Sequence, residues 1–383
     1  MTGLRGVLEP YVRGGAVPGA VALVARGGRT EAEAIGSAGG EGSAPLAQNS
    51  LFRIASLTKP LTAAAAMMLV EDGRMALGDP VRRWLPELAS PVVVRTPHAP
   101  VDDVVPAARP ITVEDLLTLR AGYGFPADFS LPAVALLHRE AHRHLLAPQQ
   151  APPPDAWLAA LARVPMLRQP GDAWLYQTCS DILGVLIARG AGRPLPGFLA
   201  ERLFGPLGMA DTGFAVPAAE LGRFTTLYRP APAGGLYLAD PPDGEWSRPP
   251  AFPAAGGGLV STAGDWHAFA RMLLAGGTAP GGRRLLSPAS VRRMTTDHLT
   301  PPQREGAALF LEGQGWGFGG SVDVTAAEPW NVPGRYGWVG GTGTAAHIVP
   351  STGLVAILLT QVQMTGPTPT ALMRDFWRYA AGF

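Results

Sequence analysis

The 383-residue chain is poor in several things at once. It has one cysteine, Cys179, and one lysine, Lys59, every other member of the Lys+Arg total of 31 being arginine. A lone cysteine closes no internal disulfide. The amino-terminal "MTGLRGVLEPYVRGG" has no apolar segment behind a basic start, so the chain is expected in a reducing, cytoplasmic setting. No window of about 18 residues is apolar and free of charge, so no membrane span is expected. The formal net charge is +1 and no basic run stands out, which leaves a nucleic-acid partner without an electrostatic footprint. There is no G-x-S-x-G elbow, no phosphate-binding P-loop and no C-x-x-C pair. "HREAH" places His138 and His142 four apart, with His144 beyond. Glu140 is out of place for H-E-x-x-H, so these side chains read as a solvated helix face and no metal site is expected. Gly315, Gly317 and Gly320 spell G-x-G-x-x-G without a helix-forming run behind them, which discounts a dinucleotide site.

What is present is apolar and loop-rich. Hydrophobic residues make up 47% against 16% charged, which excludes a disordered chain and supplies a large core. The 49 glycines and 39 prolines fall in many short turns rather than in a repeat. "AVPGAVALVARGGR" reads as a buried strand closed by a Gly-Gly turn. Leu57 to Asp72 reads as a helix with Pro60 in its first turn and Gly73 as the residue that ends it. Residues 86–255 read as short amphipathic helices between proline-rich loops. After 256 come a helix, the strand-like "QGWGFGGSVDV", "GTAAHIVP" and "GLVAILLTQV", and a closing helix in "PTALMRDFWRYAAGF". The pattern predicts an α/β unit formed by 1–85 and 256–383, with a mainly helical insertion at 86–255.

The single lysine stands three residues after Ser56, so both side chains project from one face of a helix start. An arginine would supply the same charge but cannot release a proton at working pH. A lysine can, once its surroundings disfavour the ammonium. The pair therefore suits a serine nucleophile whose hydroxyl proton is taken by an amine, and the backbone N–H groups of a helix start suit a developing oxyanion. The plainer reading is a capping serine beside a surface lysine.

Ser56-Leu57-Thr58-Lys59 and its flanks, "LFRIASLTKPLTAAAAMMLVEDGRMALGDPVRRWLPEL", resemble the S-x-x-K region of class C β-lactamases, penicillin-binding proteins and family VIII carboxylesterases. "ITVEDLLTLRAG", "GGGLVSTAGDWHAFARMLLAGG" and "GWVGGTGTAAHIVP" resemble the same family in the same order, from about residue 16 onward. The resemblance implies a β-lactamase/transpeptidase-like fold, an antiparallel sheet flanked by helices with an inserted all-helical subdomain. It implies no cofactor and a small-molecule ester as substrate.

In the family's second motif Tyr176 matches the tyrosine, while Thr178 stands where many relatives carry asparagine. In the third motif Trp338-Val339-Gly340 replaces Lys-Thr-Gly, so the cation that grips a substrate carboxylate is missing, which favours uncharged esters over penicillins. The resemblance assigns catalysis to Ser56, Lys59 and Tyr176. It assigns the oxyanion hole to the N–H groups of Ser56 and Gly341, the latter a glycine expected to allow close backbone approach. Tyr123, Phe125, Thr178, Trp316 and Phe318 are candidates for the substrate pocket, and Cys179 reads as a small buried residue beside Tyr176. Ester hydrolysis through an acyl-enzyme is the expected activity. Acyl transfer to an alcohol or amine, weak β-lactamase or D-peptidase activity, and a silent ligand-binding or assembly protein of the same fold are the alternatives.

Overall fold

The computed structural model describes residues 3–40, 42–144 and 147–383. Its frame is a seven-stranded sheet assembled from the two ends of the chain. In the order of the sequence the strands are β1 (Gly19–Arg26), β2 (Arg29–Gly36), β3 (Gly315–Trp316), β4 (Ser321–Val322), β5 (Tyr336–Gly340), β6 (Thr344–Val349) and β7 (Leu354–Thr360). They lie side by side as β2-β1-β7-β6-β5-β4-β3, and each neighbouring pair is antiparallel. β6 and β7 are buried at every position, which is why they read as unbroken apolar runs rather than alternating ones. β2 is the edge. Its "RTEAEAIG" is mostly exposed or half-buried and has no apolar run to betray it.

Five longer helices position the rest: α1 (Leu4–Arg13), α2 (Thr58–Glu71), α3 (Thr178–Ala191), α4 (Ala263–Leu274) and α5 (Ala371–Ala381). α4 packs on β1, β6 and β7, while α1 and α5 pack on each other and on the β1–β2–β7 part of the sheet. α2 is buried continuously from Thr58 to Leu69. Its alanines at 63–66 keep it thin enough for other elements to approach from every side, and α3 runs against it. A short 3-10 turn, Ala55–Leu57, precedes α2, so Ser56 sits in that turn rather than in the helix proper. At the other end Gly73 adopts φ +69°. Its N–H bonds the Val70 carbonyl and that of Arg74 bonds Leu69, a Schellman stop that only a left-handed residue completes. Between α2 and α4 the chain is mostly short helices, 3-10 turns and two-stranded ribbons. Among the described residues no helix is long and apolar enough to cross a membrane.

Candidate active site

Three elements bring the site together. The turn before α2 carries Ser56 and the first turn of α2 carries Lys59. The entry to α3 carries Tyr176 and Gln177, and β5 carries Trp338. Ser56 Oγ lies 2.9 Å from Lys59 Nζ and 2.8 Å from Tyr176 Oη. The indole N–H of Trp338 donates to Tyr176 Oη at 2.8 Å. The tyrosine ring is held between Phe310 (4.9 Å), Trp174 (5.6 Å) and Trp338 (5.8 Å), with Lys59 Nζ 4.6 Å from its centroid.

Lys59 is 1% exposed, and its nitrogen meets three acceptors: Ser56 Oγ, Gln177 Oε1 at 2.8 Å and the Gly256 carbonyl at 2.6 Å. An ammonium has three N–H bonds, and all three are used. A neutral amine would keep two of them on Gln177 and Gly256 and turn its lone pair to Ser56. Asp181, fully enclosed, fixes both of those acceptors. It takes a hydrogen bond from Gln177 Nε2 at 2.9 Å and one from the Gly256 N–H at 2.8 Å. Burial raises the Asp181 carboxyl above its ordinary value, against the opposing pull of the Gly256 N–H, the Lys59 charge and Gln177.

Backbone strain is concentrated here. Ala55, next to the nucleophile, has φ +43°. Gln177, next to the tyrosine, has φ +80° and ψ −68°, with the Thr178 N–H turned back on the Tyr176 carbonyl at 3.2 Å. Both are conformations that a non-glycine residue holds only under constraint, and such positions gather at functional sites. Constraint at Ala55 comes from β6 and the turn before it: Thr342 and Thr344 donate to the carbonyls of Arg53 and Ile54 at 2.5 and 3.1 Å.

The serine opens into a cavity of about 300 Å³ walled by Phe125, Phe129, Trp157, Trp246, Phe252 and Met364. Arg53 reaches its wall but is already committed. It pairs with Asp240, donates to the Thr225 carbonyl at 2.6 Å and lies 4.0 Å over the Phe224 ring. Burial pulls this guanidinium down to about 10, with Asp240 opposing. Among the described residues no group of three or more His, Cys, Asp or Glu side chains is placed to hold a metal ion.

Several sequence expectations need correction. Of the five pocket candidates, Phe125 lines the cavity and the other four do not. Tyr123 is 2% exposed and buried in the core, its carbonyl facing the Cys179 thiol at 3.6 Å. Trp316 stands behind Trp338, edge-on at 4.9 Å, and Phe318 stacks on His298. Thr178 is fully buried and contacts His142. An amide contact to Lys59 is supplied instead one residue earlier by Gln177, which the strained backbone turns toward the lysine. His142 is not on a solvated face. It is 4% exposed and lines the cavity, because the helix widens into a π turn over His138–His142. Gly341 needs no close approach, since a Cβ there would meet open space; the crowded glycine is Gly340, where a Cβ would collide with Thr344 Oγ1 and the Ile54 carbonyl. Cys179 is buried, and burial pushes its thiol up to about 12. Gln177, Asp181, Gly256, Trp174 and Phe310 were not singled out from sequence. The one signal available was the i, i+4 spacing of Gln177 and Asp181 at a helix start.

An antiparallel sheet flanked by helices, with S-x-x-K at the head of a buried helix and a tyrosine facing it, defines the β-lactamase/transpeptidase-like class. A sequence model of the Beta-lactamase family matches residues 4–376, and the chain belongs to that family. It is 42% identical to Protein Rv1367c of Mycobacterium tuberculosis over 83% of this chain and 79% of that protein. It is 30% identical to Esterase EstB of Burkholderia gladioli over 96% of this chain and 93% of that one. Among solved structures, "EstCE1, a hydrolase with promiscuous acyltransferase activity" superposes with a TM-score of 0.81 at 25% identity, covering 99% of this chain and 97% of that one.

Proposed function

We propose that the protein is a serine carboxylesterase of the family VIII kind, cleaving uncharged esters through an acyl-enzyme on Ser56. The observation that carries this reading is the convergence of Lys59 Nζ and Tyr176 Oη on Ser56 Oγ, at 2.9 and 2.8 Å. Family membership and the esterase relatives support the same reaction. In the first step Ser56 Oγ attacks the ester carbonyl while the Lys59–Tyr176 pair accepts its proton. The N–H groups of Ser56 and Gly341 hold the tetrahedral oxyanion, and one such donor is worth about 3–4 kcal/mol of barrier. Tyr176 then gives a proton to the departing alcohol. Water enters, loses a proton to the same pair and attacks the acyl carbon, and the proton returns to Ser56 as the acid leaves. Trp338 holds the phenol oxygen on line and stabilises negative charge on it, while Gln177 and Gly256 aim the amine.

The apolar walls and the indole in the third motif support uncharged esters over penicillins: an isolated carboxylate in that cavity would lose its hydration, and among the described residues the arginine at its wall is already paired with Asp240. A second reading is transfer of the acyl group to an alcohol rather than to water. The hydrophobic cavity supports it, as does the transferase activity named for EstCE1. Turnover of nitrophenyl butanoate tests the proposal. Ser56→Ala is expected to abolish it, and Lys59→Arg, which keeps the charge but not the exchangeable proton, to lower kcat by about 10³ or more. Ser56→Ala with near wild-type kcat would refute the nucleophile, and a loss under about tenfold in Lys59→Arg would reduce the lysine to a counter-charge. A hexanol-containing assay separates transfer from hydrolysis by the appearance of hexyl butanoate.

A further inference from the structure

His142 is a buried titratable group at the cavity that the reaction above does not use and, unlike Arg53, it has no charged partner among the described residues. It stands on the π turn His138–His142, a widened turn of the kind that recurs at functional sites. Its ring packs 5.3 Å from Phe125 and 6.1 Å from Trp157, two cavity walls. One ring nitrogen, Nε2, lies 2.8 Å from Thr178 Oγ1. The direction of that bond follows from what each group needs. Thr178 is fully buried, and among the described residues its hydroxyl has no other hydrogen-bond partner. A buried O–H must give its proton to something, and Nε2 is the acceptor within reach. With Nε2 accepting, a neutral imidazole carries its hydrogen on Nδ1. Among the described residues the bond to Thr178 is the only side-chain hydrogen bond His142 makes, which leaves Nδ1 to face the cavity that the ring lines.

The ring is neutral at working pH. Burial pulls His142 down to about 3, helped by the charges of His138 and Lys59. A neutral imidazole offers one N–H and no charge. It cannot balance a carboxylate, but it can satisfy one acceptor oxygen that would otherwise be stranded among aromatic rings.

We propose that His142 is a specificity residue whose Nδ1–H donates to a neutral acceptor oxygen (keto, ether or ester) on an otherwise apolar substrate. The proposal rests on the esterase reading, and its test keeps the two apart. The probes are two matched pairs of esters. Nitrophenyl 4-oxopentanoate against nitrophenyl pentanoate places the oxygen in the acyl group. 2-Methoxyethyl butanoate against butyl butanoate places it in the alcohol.

Wild-type enzyme is expected to favour the oxygenated member of one pair by about tenfold in kcat/KM, because the plain member leaves a buried donor unpaired. In His142→Phe that ratio should fall to about one, and in His142→Gln, which keeps an N–H donor, it should stay above about threefold. A role in packing alone would lower both members of a pair together and leave the ratio where it was. A wild-type enzyme that hydrolyses these esters without preference overturns the proposal and leaves the esterase standing. So does a preference that survives in His142→Phe. A wild-type enzyme that hydrolyses none of the four overturns the esterase reading, and the proposal with it.

Discussion

At the scale of single residues the site is a problem of donors and acceptors. Lys59 ends on three acceptors, two of which, Gln177 and Gly256, are held by Asp181. Tyr176 Oη receives the Trp338 indole, a group that can only donate, so the phenol's own proton is left to point at Ser56. Trp338→Phe keeps the ring and removes that N–H. It is expected to lower kcat for nitrophenyl butanoate by about 10- to 100-fold with a smaller change in KM, as for the loss of one hydrogen bond to a charge formed in the transition state. A variant with wild-type kcat would show that the indole only fills space. Ser56 and Lys59 are legible because they stand in one short pattern with its own chemical reason, and the lone lysine in an arginine background draws attention to it; Tyr176 is legible only through the order of the motifs that resemble the family. Gln177 was not legible. It reaches Lys59 only through φ +80°, a backbone state that no propensity announces for glutamine. His142 is hidden in the sequence for a related reason. Three histidines in an arginine-rich stretch look solvated, and the widened turn that faces one of them inward has no sequence signature.

At the scale of elements the decisive contact is between β5 and the turn that carries Ser56. Gly340 lets the strand pass against the Ile54 carbonyl, and Thr342 and Thr344, just beyond the strand, tie it to that turn. Gly340→Ala is expected to destabilise the protein by about 1–3 kcal/mol and to displace the nucleophile's turn, so that kcat falls with stability. Urea denaturation and ester turnover on the same preparation check this. An alanine variant with unchanged midpoint and unchanged kcat would contradict it. Elements that announce themselves do so by burial or by their ends. α2 has its alanine run and its glycine stop, and β6 and β7 have unbroken apolar runs. β2 escaped notice because an edge strand with charged residues carries no such run, and "QGWGFGGSVDV" is two residue pairs joined by a turn rather than one strand. Pocket residues were the least legible. Whether Trp316 or Phe125 meets the cavity depends on which strand or loop crosses behind it, and one sequence does not encode that locally.

At the scale of the whole molecule the core holds neutral histidines. His142 is pulled down to about 3, and His347 and His267 are also lowered, in each case mainly by burial. An unfolded histidine takes up its proton near pH 6.5, whereas these folded ones do not, so below that value the unfolded chain binds more protons. Stability contributed by these groups is therefore present above about pH 6.5 and is lost as the pH falls toward the folded values. Asp181 and Asp265, raised by burial, act in the opposite sense, while Glu87, lowered by its hydrogen bonds from Arg189, acts with the histidines. The melting temperature is expected to hold down to about pH 6.5, to fall from there to pH 5, and to fall less in His142→Phe. A flat or rising profile would contradict the buried neutral state.

The most direct test of the central claim is to locate the covalent bond. After reaction with a fluorophosphonate, intact mass and peptide mapping should find one adduct per chain, on the peptide containing Ser56, and none in Ser56→Ala. An unlabelled wild-type chain that nonetheless turns over esters, or an adduct on any other residue, would contradict it.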